Sequence, residues 1–116
     1  MKENQVVDKS FAFALKIVEL SRYLMKEKNE YILSKQVLRS GTSIGANIEE
    51  AQGGFSKKDF SAKMGIAYKE ARETKYWLRL LHQSGYIDEA KLNSLLPGCE
   101  ELLKMLYYIV KNSKAK

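Results

Sequence analysis

The chain has 116 residues, of which 45% are hydrophobic and 29% charged, values typical of one globular domain over residues 1–116. Its single cysteine, Cys99, excludes an internal disulfide and fits a reducing compartment, and the absence of a signal peptide or of ~20 consecutive apolar residues predicts a soluble cytoplasmic protein without a membrane segment. The formal net charge of +6 favours acidic partners such as nucleic acid, although many mildly basic proteins bind none.

The first predicted helix extends from Asp8, a plausible N-cap, to about Lys28. Two sets of apolar residues repeat in it at steps of three and four, on neighbouring faces. One set is Val7, Phe11, Ala14, Val18 and Met25, and the other is Phe13, Ile17, Leu20 and Leu24. One set is sufficient for packing on a core, so the second indicates either a wide core-facing stripe or a subunit interface.

The second predicted helix begins at Ser34 and contains two glycines one turn apart, Gly41 and Gly45. Each glycine costs about 1 kcal/mol relative to alanine in a helix interior, so we expect a neighbouring backbone to approach closely there. A phosphate-binding loop is excluded because no strand precedes the glycines and no Gly-Lys-Ser/Thr follows them. The core positions, in a segment poor in charge, are Val37, Gly41, Ile44, Ile48 and Ala51.

The third predicted helix follows the break at Gly53-Gly54 and ends at Gly85, which suits the position after a helix C-cap. Ser56-Lys-Lys-Asp59 resembles a capping box, with aspartate in place of glutamate. An unbroken stripe at four-three spacing predicts a bundle seam. Its members are Phe60, Met64, Ala67, Ala71, Thr74, Leu78 and Leu81.

The fourth predicted helix starts after Asp88, again a suitable N-cap. One apolar register continues across Pro97, which favours a single kinked helix, with a break at Pro97-Gly98 as the alternative. The register is Leu92, Leu96, Cys99, Leu103, Leu106 and Val110. Four amphipathic helices with short connections predict an all-α fold, an antiparallel up-down-up-down four-helix bundle.

No combination of residues predicts catalysis, so we do not expect an enzyme, a metal site or a cofactor. His82 is the only histidine, and the paired Glu-x-x-His motifs of di-metal bundles and the Cys/His clusters of zinc sites are absent from the sequence. Cys99 falls on the core register, where a buried thiol packs as a small apolar residue. The two acidic pairs, Glu49-Glu50 and Glu70 with Glu73, lack a nucleophile or base to work with.

The third helix carries two different surfaces beside its core stripe, at about 100° per residue. One surface, which we name the basic flank, could follow a phosphate backbone and offer tyrosine rings for stacking. It contains Lys57, Lys58, Ser61, Gly65, Tyr68, Lys69, Arg72, Lys75, Tyr76 and Arg79. The other, with Asp59, Ile66, Glu70, Glu73, Trp77 and Leu80, resembles a protein-contact surface. The alternative for the basic flank is a solvated face that keeps the protein in solution.

Three stretches of the chain resemble the 23S rRNA intervening-sequence protein family, also called four-helix-bundle proteins, and the likeness extends over essentially the whole sequence. The most specific stretch is Arg39-Ser-Gly-Thr-Ser-Ile-Gly-Ala-Asn47 within Ser34–Ala51. The others are Ser56-Lys-Lys-Asp-Phe60 and Lys69-Glu-Ala-Arg-Glu-Thr-Lys-Tyr-Trp-Leu78. The resemblance implies a homopentamer of four-helix bundles without an established biochemical activity. The family is also similar to the accessory protein of diversity-generating retroelements, a basic pentamer that engages a reverse transcriptase and nucleic acid.

The sequence and the resemblance together favour a non-enzymatic oligomeric module associated with RNA or DNA. The candidate phosphate contacts are Arg39, Lys58, Lys69, Arg72, Lys75 and Arg79, and the candidate stacking residues are Tyr68 and Tyr76. The competing hypothesis is a protein-interaction scaffold or accessory subunit, in which the Trp77 surface or the doubly apolar first helix recruits a protein partner.

Overall fold

A computed structural model describes residues 2–113, with side chains from residue 5 onward, and shows four helices. They are α1 (Lys2–Lys28), α2 (Leu33–Gln52), α3 (Lys57–Gln83) and α4 (Glu89–Ser113). The predicted number and order of helices are confirmed, but the predicted start of α1 at Asp8 is wrong. The helix begins six residues earlier because Val6, one turn before Ser10 and two before Phe13, is fully buried and extends the core-facing register.

The four helices form an antiparallel bundle in which each helix packs on its neighbours in the sequence and α4 returns to α1. Side-chain pairs show the direction of each packing, because residue numbers rise on one helix as they fall on the other. Ser40 and Glu50 of α2 contact Thr74 and Lys63 of α3, respectively. The α1–α4 pair behaves likewise, since Lys9 contacts Glu101 while Tyr23 contacts Lys91. Extents of 47 × 20 × 19 Å match helices lying along one axis.

The N-terminus of α2 is capped by a residue outside the helix that the sequence analysis did not identify. Glu30 is 8% exposed, and its carboxylate accepts hydrogen bonds from the backbone N–H groups of Ile32, Leu33 and Ser34 at 3.3, 2.9 and 2.7 Å. The carboxylate thereby satisfies donors that have no partner within the helix, and its charge is favourable at this end of the helix dipole. Asn29, with φ at 52°, turns the chain immediately before it.

The predicted ends of α3 and the start of α4 are confirmed. Ser56 Oγ accepts a hydrogen bond from the Asp59 N–H at 3.1 Å, and Gly85 has the positive φ of 89° that favours glycine after a helix. Asp88 Oδ1 accepts a hydrogen bond from the Lys91 N–H at 2.8 Å, as an N-cap does. Local capping chemistry therefore sets the bounds of these two helices.

The two apolar sets of α1 have different surroundings. Phe13, Ile17, Leu20 and Leu24 are buried in the core, whereas Phe11 of the other set is 62% exposed. Leu15, beside Phe11 on the outer face, is 55% exposed. The other members of that set, Val7, Ala14, Val18 and Met25, are partly buried, so the bundle covers this face in part and leaves Phe11 and Leu15 uncovered.

The glycines of α2 lie against α1 at close range, as the sequence predicts. A Cβ added at Gly41 would lie 2.8 Å from both Cγ atoms of Ile17, and one added at Gly45 would lie 3.4 Å from the backbone oxygen of Ser10. The distance to Ile17 is shorter than ordinary contact between carbon atoms, and the distance to the Ser10 oxygen is at the lower limit of ordinary van der Waals contact. The two glycines therefore let α1 and α2 approach each other.

The fourth helix continues through Pro97, as predicted, but its core register is partly wrong. Cys99 and Leu106 are buried as expected, and the other buried positions are Leu95 and Leu102 rather than Leu96 and Leu103. The leucines occur in adjacent pairs, so the four-three pattern fits two neighbouring faces equally well. The core side is decided by where α4 meets α1 and α3. Within residues 2–113, no helix has the combination of length and apolar character that crossing a membrane requires.

Candidate nucleic-acid interface

The two surfaces of α3 face different neighbours in the bundle. The surface with Glu70 and Glu73 lies beside α2, because Arg39 of α2 contacts both carboxylates. The basic flank lies on the α4 side, where Lys75 Nζ is 3.2 Å from Glu100 Oε2 and Tyr68 packs near Tyr107. The charge separation predicted along α3 is therefore also a separation between two seams of the bundle.

Arg39 belongs to the α2–α3 seam and lies apart from the basic flank. Its Nη1 donates to Glu70 Oε1 at 3.2 Å, and its Nη2 donates to Glu73. The indole N–H of Trp77 also donates to Glu73, at 2.9 Å. Arg39, a candidate phosphate contact, is therefore separated from the lysines of α3, because two carboxylates hold its guanidinium on the opposite surface. Glu70 and Glu73 belong to the surface of α3 that was predicted to contact a protein, so these hydrogen bonds already occupy both carboxylates.

The remaining predicted cations lie together on the basic flank. Lys58, Lys69, Arg72 and Arg79 are exposed, and among the side chains of residues 5–113 none of these four has a carboxylate within ion-pair distance. Lys75 is half-buried and pairs with Glu100 at 3.2 Å. An ion pair at such an accessible position contributes little to stability, so Lys75 can exchange its partner at low cost. Four unpaired cations and one exchangeable cation remain for an external anion.

The two predicted stacking residues occupy different environments. Tyr68 is half-buried, and its ring centroid is 6.3 Å from that of Tyr107 on α4. Tyr76 is 55% exposed, and its ring meets Trp77 edge-on at 5.0 Å, toward the other end of α3. Tyr107 is itself 53% exposed and was missed by the sequence analysis, which considered the surface of α3 alone. Only Tyr68 of the predicted pair lies beside a second accessible aromatic ring on α4.

A groove runs between the N-terminal half of α3 and the C-terminal half of α4, with a volume of about 980 Å³. We name it the α3–α4 groove. Four lysines and two tyrosines line it together with small and apolar residues, and within the described chain no carboxylate lines it. The charged and aromatic lining residues are Lys57, Lys58, Lys69, Lys111, Tyr68 and Tyr107. Such a lining combines positive charge with aromatic rings.

The described residues contain no cluster of three or more His, Cys, Asp or Glu side chains that could hold a metal ion. Cys99 is buried, and its thiol donates to the backbone oxygen of Ala71 at 3.4 Å. Desolvation by burial, partly opposed by the nearby charge of Lys75, raises the pKa of this thiol from 9.0 to about 12. A thiol that stays protonated at neutral pH is a poor nucleophile and a poor metal ligand.

The family model described as "23S rRNA-intervening sequence protein" matches residues 2–108. The chain belongs to the 23S rRNA-intervening sequence protein family. It is 50% identical to a protein of unknown function from the S23 ribosomal protein family of Bacteroides thetaiotaomicron VPI-5482, whose crystal structure superposes with a TM-score of 0.93. That match covers 96% of this chain and 99% of the other. No curated protein matches the chain.

The stretch that carries the family resemblance has structural roles in this bundle. Ser40 receives a hydrogen bond from the Thr74 hydroxyl at 2.9 Å in the buried α2–α3 seam. Gly41 and Gly45 permit the approach of α1, and Arg39 joins Glu70 and Glu73 across the same seam. This stretch therefore stabilises the bundle, whereas Lys69, Arg72 and Lys75 of the basic flank belong to another stretch of the resemblance, Lys69–Leu78.

Proposed function

We propose that the chain is a non-enzymatic oligomeric module that associates with RNA or DNA through the basic flank of α3. The observation that carries this proposal is the set of exposed cations, Lys58, Lys69, Arg72 and Arg79, without carboxylate partners among the described residues. They project from one side of a helix of 27 residues, which holds them in a fixed line. Arg39 is left out of the proposed surface because it lies in the α2–α3 seam, on the other side of α3, where it contacts Glu70 and Glu73.

Phosphate contacts of this type are individually weak in salt and gain strength by repetition. Each neutralised phosphate releases counterions, so several lysines and arginines on one particle give a steep dependence on salt concentration. Self-association would present the flank several times on one particle and increase the effective concentration of sites. The uncovered apolar face of α1, with Phe11 and Leu15, supports the oligomeric part of the proposal. Binding by this mechanism is largely independent of base sequence.

The test is a gel shift with RNA or DNA of mixed sequence at several salt concentrations. We expect the parent to bind at low salt and to lose affinity as salt rises. The variant Arg72→Glu/Lys75→Glu/Arg79→Glu should lose at least about tenfold in affinity and show a shallower salt dependence. None of the three residues is in the buried core, so the variant should stay folded.

The matched control changes the same number of charges on α1, with Lys16→Glu/Arg22→Glu/Lys26→Glu. All three residues are exposed, and both variants lower the formal net charge from +6 to zero, since each of three substitutions removes two charges. Equal loss in both variants would show that net charge alone attracts nucleic acid. Unchanged binding in the α3 variant, or no binding by the parent at low salt, would show that the basic flank is only a solvated surface.

A second candidate function is a protein-interaction scaffold that uses the outer face of α1. The observation in its favour is that Phe11 and Leu15, one turn apart, are both more than half exposed although they are large and apolar. Replacing both with glutamate separates the two candidates. Loss of a protein partner with retained salt-dependent RNA or DNA binding would assign the two surfaces to different roles.

A further inference from the structure

We propose that the α3–α4 groove binds a single-stranded nucleic-acid segment, with one base stacked on Tyr107 and its phosphates in contact with the surrounding lysines. This inference rests on the proposed function and specifies where on the protein, and for which form of nucleic acid, binding occurs. Three properties of the groove support it: its charge, its accessible rings and an unfilled position on α3.

The charge of the groove is of one sign along its length. Lys57, Lys58 and Lys69 are on α3, Lys111 is on α4, and all four are exposed. Lys57 and Lys69 are twelve residues apart, about 18 Å along the helix axis. Because no carboxylate among the described residues lines the groove, its positive charge is not neutralised from within. An extended polyanion complements such a line of charge, whereas an acidic side chain would complement only one position.

The rings in the groove can accept bases. Tyr107 is 53% exposed and lies 6.3 Å from Tyr68, centroid to centroid, and Lys111 Nζ lies over its ring at 6.0 Å from the centroid. Stacking on aromatic side chains is tolerant of sequence because every base has a flat face. In a duplex those faces are covered by neighbouring base pairs, and only unpaired bases can turn out onto a protein ring. The rings therefore favour a single strand over a duplex.

The unfilled position is Gly65, in the middle of α3 and in the lining of the groove. A Cβ added at Gly65 would meet no atom within 4 Å, in contrast to Gly41 and Gly45, which contact α1. Glycine is unfavourable in a helix interior, and here no packing contact requires it. The missing side chain leaves the groove unobstructed at this position. This is the position at which a substitution can obstruct the groove without touching the core or any charge.

The experiment measures binding of a fluorescently labelled oligouridylate of roughly 15 nucleotides, a length suited to one such site, and of a duplex of the same length. Fluorescence anisotropy at low salt gives both affinities for the parent, Gly65→Ala, Gly65→Leu and Tyr107→Leu. We expect the parent to prefer the single strand. Gly65→Leu should weaken single-strand binding at least about tenfold, while Gly65→Ala, the matched control, should stay within about twofold of the parent. Tyr107→Leu keeps apolar bulk but removes the ring, and should cost about fivefold or more.

Photo-crosslinking of a 4-thiouridine-substituted strand to the parent protein provides a readout that does not depend on how any variant folds. Crosslinks on the peptides containing Tyr68 or Tyr107 support the groove. Equal affinity for duplex and single strand, unchanged binding by Gly65→Leu and Tyr107→Leu, or crosslinks confined to other helices would overturn it while leaving the proposed function standing. If polyglutamate binds as tightly as the oligonucleotide, the groove attracts negative charge in general and does not recognise nucleic acid. Failure of the parent to bind either nucleic acid would overturn the proposed function itself.

Discussion

Substituting Gly41 with alanine adds one methyl group at the closest approach of α1 and α2. The added Cβ would lie 2.8 Å from both Cγ atoms of Ile17 and 3.2 Å from its Cβ. Ile17 is fully buried and β-branched, so it has one strongly preferred rotamer in a helix and little freedom to turn away. Overpacking of this kind costs about 1–3 kcal/mol, against about 1 kcal/mol gained from the better helix propensity of alanine. We expect Gly41→Ala to lose ~1 kcal/mol net and Gly41→Leu to lose ~3 kcal/mol.

The matched control is Gly65→Ala on α3. Nothing lies within 4 Å of an added Cβ there, so only the propensity gain of about 0.5–1 kcal/mol remains. Thermal unfolding followed by circular dichroism, at one fixed protein concentration, compares the two variants with the parent. For a chain of this size 1 kcal/mol corresponds to roughly 4 °C in Tm, so the variants should melt on opposite sides of the parent, roughly 4–10 °C apart. If Gly41→Ala melts at or above the Tm of Gly65→Ala, the close approach of the two helices does not constrain position 41.

Three further predictions concern the cap of α2, the buried thiol and the outer face of α1. Glu30→Ala should lower the free energy of unfolding by about 1–2 kcal/mol in urea titrations because three backbone donors lose their acceptor, and an unchanged midpoint would refute the cap. Burial raises the pKa of the Cys99 thiol from 9.0 to about 12, so its protonated form contributes stability that is complete below pH 9.0 and is lost as pH rises toward 12. The stability of Cys99→Ala should therefore fall less than that of the parent between those pH values, and parallel curves would contradict the assignment. Sedimentation equilibrium should show a species larger than the 13.3 kDa monomer, a pentamer by family resemblance, and Phe11→Glu/Leu15→Glu should weaken this self-association. A monomeric parent at micromolar concentration would exclude self-association, and a dimer would exclude the pentamer.

Periodicity predicted the architecture because each helix has a core stripe that repeats at helical spacing. The stripe of α3 is correct at Met64, Ala67, Ala71, Thr74, Leu78 and Leu81, which are all buried. Periodicity was less informative for α4, where adjacent leucines such as Leu95-Leu96 and Leu102-Leu103 fit two registers. In α1 it could not decide which apolar face meets the core, because that choice depends on the position of α2 and α4. A sequence pattern gives the faces of a helix, and only the assembled bundle decides which of them is covered.

The candidate site was predictable only as far as it lies on one helix. The charge division along α3 follows from its sequence at 100° per residue, and Lys58, Lys69 and Arg72 lie where that projection places them. Tyr107 and Lys111 come from α4, about forty residues or more from the groove residues of α3 in the chain, and no local spacing connects them to α3. Arg39 was grouped with the lysines by charge, although its carboxylate partners on α3 became apparent only from the packing of α2.

The family resemblance includes both sides of α3, because the stretch Lys69–Leu78 contains cations of the basic flank as well as residues beside the α2–α3 seam. Ser40, Glu73 and Trp77 belong to the resemblance and are joined by hydrogen bonds in or beside the α2–α3 seam. These contacts stabilise the bundle, whatever the protein binds. The exposed cations of the basic flank make no such contacts, so the fold imposes no requirement for them. A shared fold is therefore compatible with different partners, and the charge reversals at Arg72 and Arg79 address the binding surface without altering the α2–α3 seam.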